Sequence, residues 1–316
     1  RIPNVGFGSM NRFTNILKLA AFVAFIGGCN TPEEQSDPPD LKVLPVEPEI
    51  PTGLEDCRIG AVYADKSQAR LLTRYEFDNT IGDLLGIEST VARDTFPSEN
   101  AIAGFENNSD SHIVSPLYVR KLMEGAEELS LRAISEKGDE LIGCDLAEDG
   151  CGHQFVESFL NQAFRRPAEP EELQIFVDLF DTVEAESDAE TATRRVIETT
   201  LQSPQFLYRV ELSDNLAPGD LVPVAPHELA QRLSYFLWGT MPDERLREAA
   251  DSGALAEKSE VEAQVLRMIA DPKMARNIEQ FYRQWLSLDS LETMVKDDVT
   301  FPEWNPTVSE DWKTSL

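Results

Sequence analysis

The sequence predicts an all-α protein, a multi-helix array of stacked helical hairpins behind a disordered N-terminal tether. Apolar side chains recur every three or four residues through most of the chain after residue 66. Serine and proline sit where helices should start, and glycine sits where they should stop. Alternating strand patterns are nearly absent; "LVPVA" at 221–225 is the best of them, and its proline cannot donate to a ladder.

Taken in order, Ser67 is placed to cap a helix through "SQARLLTRYEFDNTIGDLLG". Its apolar side is Leu71, Tyr75, Phe77, Ile81, Leu84 and Leu85, with Gly86 as the stop. Arg74 and Asp78 lie one turn apart on it and predict a surface ion pair. Residues 87–112 read as irregular. Ser115-Pro116 then opens a helix whose stripe is Tyr118, Leu122, Ala126, Leu129 and Ala133, proline being suited to the first helical position. "QFVESFLNQAFRRP" follows, with Phe155, Val156, Phe159, Leu160, Ala163 and Phe164 on one side and Pro167 as terminator. The next helices cover Glu171–Glu184, Thr191–Gln202 and "PHELAQRLSYFLWG", the last ended by Gly239. Ser259 and Glu262 have the S-x-x-E spacing of a capping box for "SEVEAQVLRMIA". A final helix places Ile278, Phe281, Trp285 and Leu288 on one face. These elements group into three modules, 57–142, 143–200 and 201–316.

The N-terminal segment predicts export and anchoring. From Met10 a basic start with Arg12 and Lys18 precedes the apolar run "LAAFVAFIGG" and Cys29. That is the layout of a secretory signal, and the run is shorter than the roughly 20 apolar residues a membrane span needs. Ile26-Gly27-Gly28-Cys29 resembles the lipobox of bacterial lipoproteins, which implies that residues 1–28 are removed and that Cys29 carries a lipid. Asn30 stands where an aspartate would resemble an inner-membrane retention signal, so the expected location is the outer membrane or cell surface. Residues 29–56 form the tether; six prolines and few apolar groups between 30 and 53 leave nothing to pack.

Residues 1–28 contain Arg1, Arg12 and Lys18 and no acid, so the remainder sets 25 Lys and Arg against 57 Asp and Glu. Such an acidic surface repels phosphate backbones and argues against nucleic acid as a partner. It also repels anionic lipid, which leaves the acyl group as the membrane link; the plain meaning of the acidity is solubility in a salty medium. Beyond Cys29 the cysteines are Cys57, Cys144 and Cys151. Thiols outside the cytoplasm tend to pair. Cys144 and Cys151 enclose "CDLAEDGC" and predict a disulfide contributing about 2–3 kcal/mol by loop closure, leaving Cys57 over. The three possible pairings are not separable by sequence, and zinc on Cys144, Cys151 and His153 is the competing reading.

Several long phrases are similar to known domains. "RLLTRYEFDNTIGDLLG" (70–86) and "FPSENAIAGFENN" (96–108) resemble one planctomycete-type secreted domain of unknown function. "AFRRPAEPEE" (163–172) resembles the start of a second such domain. "LQSPQFLYRVE" (201–211) and "HELAQRLSYFLWGTMPDERL" (227–246) resemble a third. The chain departs from these patterns at Phe77, where tyrosine is usual, at Gly82, where arginine is common, and at Gln162, where arginine opens the second phrase. The resemblance implies a chain that stops inside or just after the third module, because relatives continue into cytochrome-like domains with c-type haem motifs. It supplies no reaction.

No catalytic pattern stands out. Covalent haem needs Cys-x-x-Cys-His, and Cys151-Gly152-His153 has its partner thiol seven residues upstream, so no haem is expected in this part. The histidines are His112, His153 and His227, and no G-x-S-x-G elbow lies near them. His227, at a helix start, is expected to be solvated. Arg165-Arg166 ends a helix, where arginine bonds open carbonyls. Tyr235, Phe236 and Trp238 are expected in the core. If a site exists, Glu76, Asn79, Thr80 and Asp83 are its candidates, being the polar residues inside the first family phrase. The expected function is therefore a lipid-anchored, extracytoplasmic helical scaffold without catalysis of its own, linked to c-type cytochrome electron transfer. The alternative is an enzyme or binding protein for polysaccharide at the cell surface, with a protein or glycan as partner.

Overall fold

The computed structural model describes residues 68–109, 112–211 and 224–288, with residues 290, 294, 296–297, 299–305, 307–308 and 311 beyond them. The leader, Cys29, the tether, Cys57, Ser67 and most of "LVPVA" lie outside the described residues. Among the described residues the protein is all-α apart from one short two-stranded pair, β1 (Arg70–Leu71) against β2 (Tyr208–Arg209), antiparallel with Arg70 opposite Arg209.

The first helix differs from the expected one. Arg70–Leu71 is strand, and α1 runs Arg74–Leu85 with Thr73 as its cap. Thr73-Arg-Tyr-Glu76 is itself a capping box: the Thr73 hydroxyl accepts from Glu76 N–H at 3.1 Å and Glu76 Oε2 accepts from Thr73 N–H at 3.0 Å. This reciprocal pair satisfies two open donors, whereas a start at Ser67 would take Leu71 and Leu72 out of the pairing with residues 207–208. Gly86 ends the helix at φ 67°, as expected.

The stretch read as irregular contains a five-residue helix, α2 (Val91–Thr95). Asp78 explains it. Its carboxylate, 1% exposed, accepts from Ala92 N–H and Arg93 N–H at 3.0 Å and from the Ser89 hydroxyl at 2.7 Å, doing at a distance what a cap does locally. The predicted Arg74–Asp78 pair is therefore absent. Arg74 bonds Glu99 instead, at 2.7 Å, and Asp78 takes Arg93.

Helices α3 (Pro116–Ile142), α4 (Cys151–Ala163), α5 (Pro170–Glu186) and α6 (Ala189–Leu201) form the bulk of the first core. The predicted stripe of α3 is buried at every position. Ser115 caps it and Pro116 occupies its first turn. Cys144 and Cys151 are joined, with Cα atoms 5.9 Å apart, so neither thiol is left for a metal. A short helix α7 (Pro204–Leu207) leads into β2.

The second core joins α8 (Pro226–Trp238), α9 (Glu244–Asp251), α10 (Lys258–Ile269) and α11 (Pro272–Trp285). Ser259 does not cap α10. The cap position is Glu257, without a side-chain bond, and Ser259 lies inside the helix because the chain enters it from a 3₁₀ turn at Ala254–Ala256. No described helix is long and apolar enough to cross a membrane.

Gly152 shows how tightly the first core closes. Alanine is favoured over glycine in a helix by about 1 kcal/mol. A Cβ at Gly152, however, would stand 2.2 Å from Cζ of Phe180, a ring that is itself buried. Gly152→Ala is therefore expected to destabilise by roughly 1–3 kcal/mol, the cost of overpacking. Thermal unfolding beside the wild type checks the sign; a rise in Tm would contradict the packing.

Candidate functional site

The four polar candidates of the first family phrase lie on α1 and face the same way. Glu76 is buried, and both oxygens are engaged: Oε2 by Thr73 N–H and Oε1 by Arg209 Nη2 at 3.0 Å. The Thr80 hydroxyl donates to the Glu76 carbonyl at 2.6 Å, which leaves its oxygen to accept from the Tyr235 hydroxyl at 3.0 Å. Asn79 donates to the Gly239 carbonyl at 3.2 Å. Asp83 accepts from the Thr240 hydroxyl at 2.7 Å and from Lys273 Nζ at 2.8 Å. Asn79, Thr80 and Asp83 are thus brought together along one seam with α8, α11 and the turn after α8, and Glu76 adjoins it through Arg209 on β2.

Arg165 is the centre of that seam. It follows α4 in the left-handed region, at φ 61°, and its side chain turns inward until the residue is 1% exposed. Nη2 donates to the carbonyls of Gln205, Phe206 and Tyr208 at 2.9–3.1 Å. Nε reaches Gln231 and Nη1 reaches the Tyr235 oxygen, each at 3.3 Å. The guanidinium lies 5.7 Å from the Tyr235 ring centre, and that of Arg209 lies 4.5 Å from the same ring. Burial pushes the Arg165 guanidinium below its ordinary value and the Tyr235 hydroxyl above its own. Two cations and one carboxylate leave a net positive charge here, and the buried Nε of Arg209 has no partner among the described residues.

Sequence reasoning gave Arg165 the right kind of partner, open carbonyls, but at the wrong place. The carbonyls belong to α7 and β2 rather than to the helix that Arg165 follows. The available signal was "SPQFLY", a proline-opened turn too short to satisfy its own carbonyls. Arg209 and Gln231 lie inside quoted family phrases, the same signal that singles out the four residues on α1, and the sequence reading passes over them.

Arg166 points elsewhere, forming a two-pronged bond to Glu172 at 2.8 Å. That bond holds the Glu172 carboxyl at about 2, well under the ordinary 4.5. A carboxyl depressed on folding adds stability above its unfolded value and loses it as pH falls through the folded one. Stability is therefore expected to decline between about pH 5 and pH 2. Urea unfolding across that range checks this, because Glu172→Gln should flatten the decline.

The remaining candidates scatter. His153 bonds Asp181 at 2.6 Å, His227 bonds Asp251 at 2.7 Å, and His112 Nε2 meets the Glu106 carbonyl at 2.7 Å. His227 is thus paired as well as partly exposed. Trp238 and Tyr235 are buried as expected, Trp238 donating to the Met268 carbonyl at 2.9 Å. Phe236 is not: it is 57% exposed, because successive helical positions cannot all face inward. Phe281 stacks on Phe105, with Tyr282 and a half-exposed Trp285 beside it. Among the described residues no group of three His, Cys, Asp or Glu is placed to hold a metal.

A helical body whose signature polar groups bond residues of other segments is the class of protein this fold defines, an interlocked assembly of small helical domains. Residues 70–135 match PSD3, protein of unknown function (DUF1587). Residues 151–211 match PSD5, protein of unknown function (DUF1595), and residues 224–316 match PSD4, protein of unknown function (DUF1592). These three matches are the planctomycete-type domains of unknown function that the sequence phrases resemble. No curated protein and no solved structure matches it.

Proposed function

We propose that the chain is a lipid-anchored extracytoplasmic scaffold, with Cys29 acylated at the outer membrane or cell surface and the helical domains held off the bilayer by the tether. The observation that carries the scaffold reading is the seam itself. Glu76, Asn79, Thr80 and Asp83 are each bonded to other groups of the protein, across to β2, α8, α11 and the turn after α8. The Cys144–Cys151 disulfide fits an oxidising compartment. On this reading redox chemistry resides in a c-type haem domain that the scaffold carries or meets, and not in residues 68–288. Mass spectrometry of the native product should find an acyl mass on Cys29, and Cys29→Ser should release the protein from membranes. An unmodified thiol on membrane-bound protein would remove the anchor from the proposal.

A second reading, glycan binding, is favoured by one observation: Trp285 is 53% exposed beside Phe281 and Tyr282, whereas Trp238, at 2%, is closed to any ligand. Under it, titration with soluble polysaccharide quenches tryptophan emission in the wild type and not in Trp285→Ala.

A further inference from the structure

We propose that residues 224–288 are a docking partner for residues 70–211, so that the three family domains form an obligate complex held by its interface rather than by the peptide link through 212–223. The inference does not depend on lipidation or on the scaffold reading.

Two seams carry it. The first is steric and polar. Tyr75, Asn79 and Asp83 are spaced four residues apart, so they form one stripe of α1. This stripe lies against the end of α8 and the start of α11. Gly239 sits there at φ 64°, and a Cβ on it would stand 2.6 Å from Cε1 of Tyr75 and 2.7 Å from Oδ1 of Asn277. Backbone therefore touches ring with no room between them. Asn79 bonds that same glycine's carbonyl, while Asp83 fastens Thr240 and Lys273 at the edge.

The second seam is electrostatic. Arg165 and Arg209 come from the domain at 151–211, Glu76 and Thr80 from 70–135, and Gln231 and Tyr235 from 224–316. Tyr235 has a ring face toward both guanidinium groups and a hydroxyl between Thr80 and Arg165. Without α8, Arg165 would lose two of its acceptors and the ring, in a position shaped to exclude water.

Helix α8 is also a shared wall. Tyr235 and, just past the helix, Met241 belong to the first core, whereas Ala230, Leu237 and Trp238 belong to the second. Separating the halves would open both the Tyr235 face and the polar cluster behind it. The partner that 70–211 fits is thus a helix offering a buried tyrosine, a glutamine one turn before it and a glycine at its end.

The test uses the whole chain with a site-specific protease sequence placed within 212–223, cleaved after folding. The two pieces should co-elute as one particle in size-exclusion chromatography and unfold in a single transition. Two peaks, or two transitions, would overturn the proposal. Gly239→Ala and Gly253→Ala in the nicked chain locate the seam. Both positions are left-handed, φ 64° and 72°, but a Cβ at Gly253 meets nothing within 4 Å. Gly239→Ala should raise the dissociated fraction at least about tenfold over Gly253→Ala; equal effects would show that the interface is not where we place it. In the intact chain, amide exchange in 116–142 and 258–269 should report the same opening equilibrium. A clear difference there argues for independent domains.

Discussion

Arg165→Met is expected to lower the folding free energy by about 3–5 kcal/mol, the range for removing one member of a buried charged network. Methionine fills much of the same space and brings no donor. The carbonyls of Gln205, Phe206 and Tyr208 would then be stranded in the core, with Gln231 and the Tyr235 oxygen beside them. Stranded polar groups of that kind cost about 1–3 kcal/mol each when nothing replaces the bond. A domain of ordinary stability has only about 5–15 kcal/mol in total, so the variant should melt many degrees lower or fail to fold at 37 °C. Arg165→Lys should not rescue it, since one ammonium cannot span five acceptors in a plane. Arg165→Gly separates backbone from side chain: it relieves the left-handed φ of 61° and still loses the guanidinium. If Arg165→Gly is as stable as wild type in urea unfolding, the side chain is not the keystone described here.

Glu76→Gln is the second large effect, about 2–3 kcal/mol, as expected for a hydrogen bond to a charged partner lost in a closed site. The amide keeps one acceptor for Thr73 N–H and turns its NH₂ group toward Arg209 Nη2, donor against donor. Arg209 already has one buried nitrogen without a bond among the described residues, and Arg165 lies on the same ring, so the cluster would carry two cations and no anion. A double-mutant cycle with Arg209→Met isolates the pair: the joint variant should lose clearly less than the two single losses added together. Additive losses would mean that Glu76 acts only as a cap for α1.

How much of this was legible in the sequence depended on the range of the interaction. The stripe of α3, the glycine stops at Gly86 and Gly239, and the Cys144–Cys151 pair are local signals of period or spacing, and each is present. The start of α1 was misread because two serine or threonine caps compete there, and the choice is made by a two-residue strand whose partner lies 137 positions later. Asp78 was misread for a similar reason: one turn from Arg74 in sequence, it is recruited by the N-terminus of α2. The polar quartet on α1 was visible as a set. What the set faces was not, since Arg209, Tyr235, Gly239, Thr240 and Lys273 lie more than a hundred positions further along the chain.

The order in which these residues are made has a consequence for biogenesis. Glu76 and Arg165 leave the ribosome, and on the export reading cross a membrane, well before Gln231 and Tyr235 do. Until Tyr235 arrives, the guanidinium has the Phe206 ring on it but lacks the Tyr235 ring and two of its five acceptors, so the first core closes around an incomplete polar cluster. A polypeptide interrupted between Glu211 and Tyr235 should thus be cleaved by proteases faster than the whole chain around Arg165 and residues 205–209, where the missing helix leaves the polar cluster open.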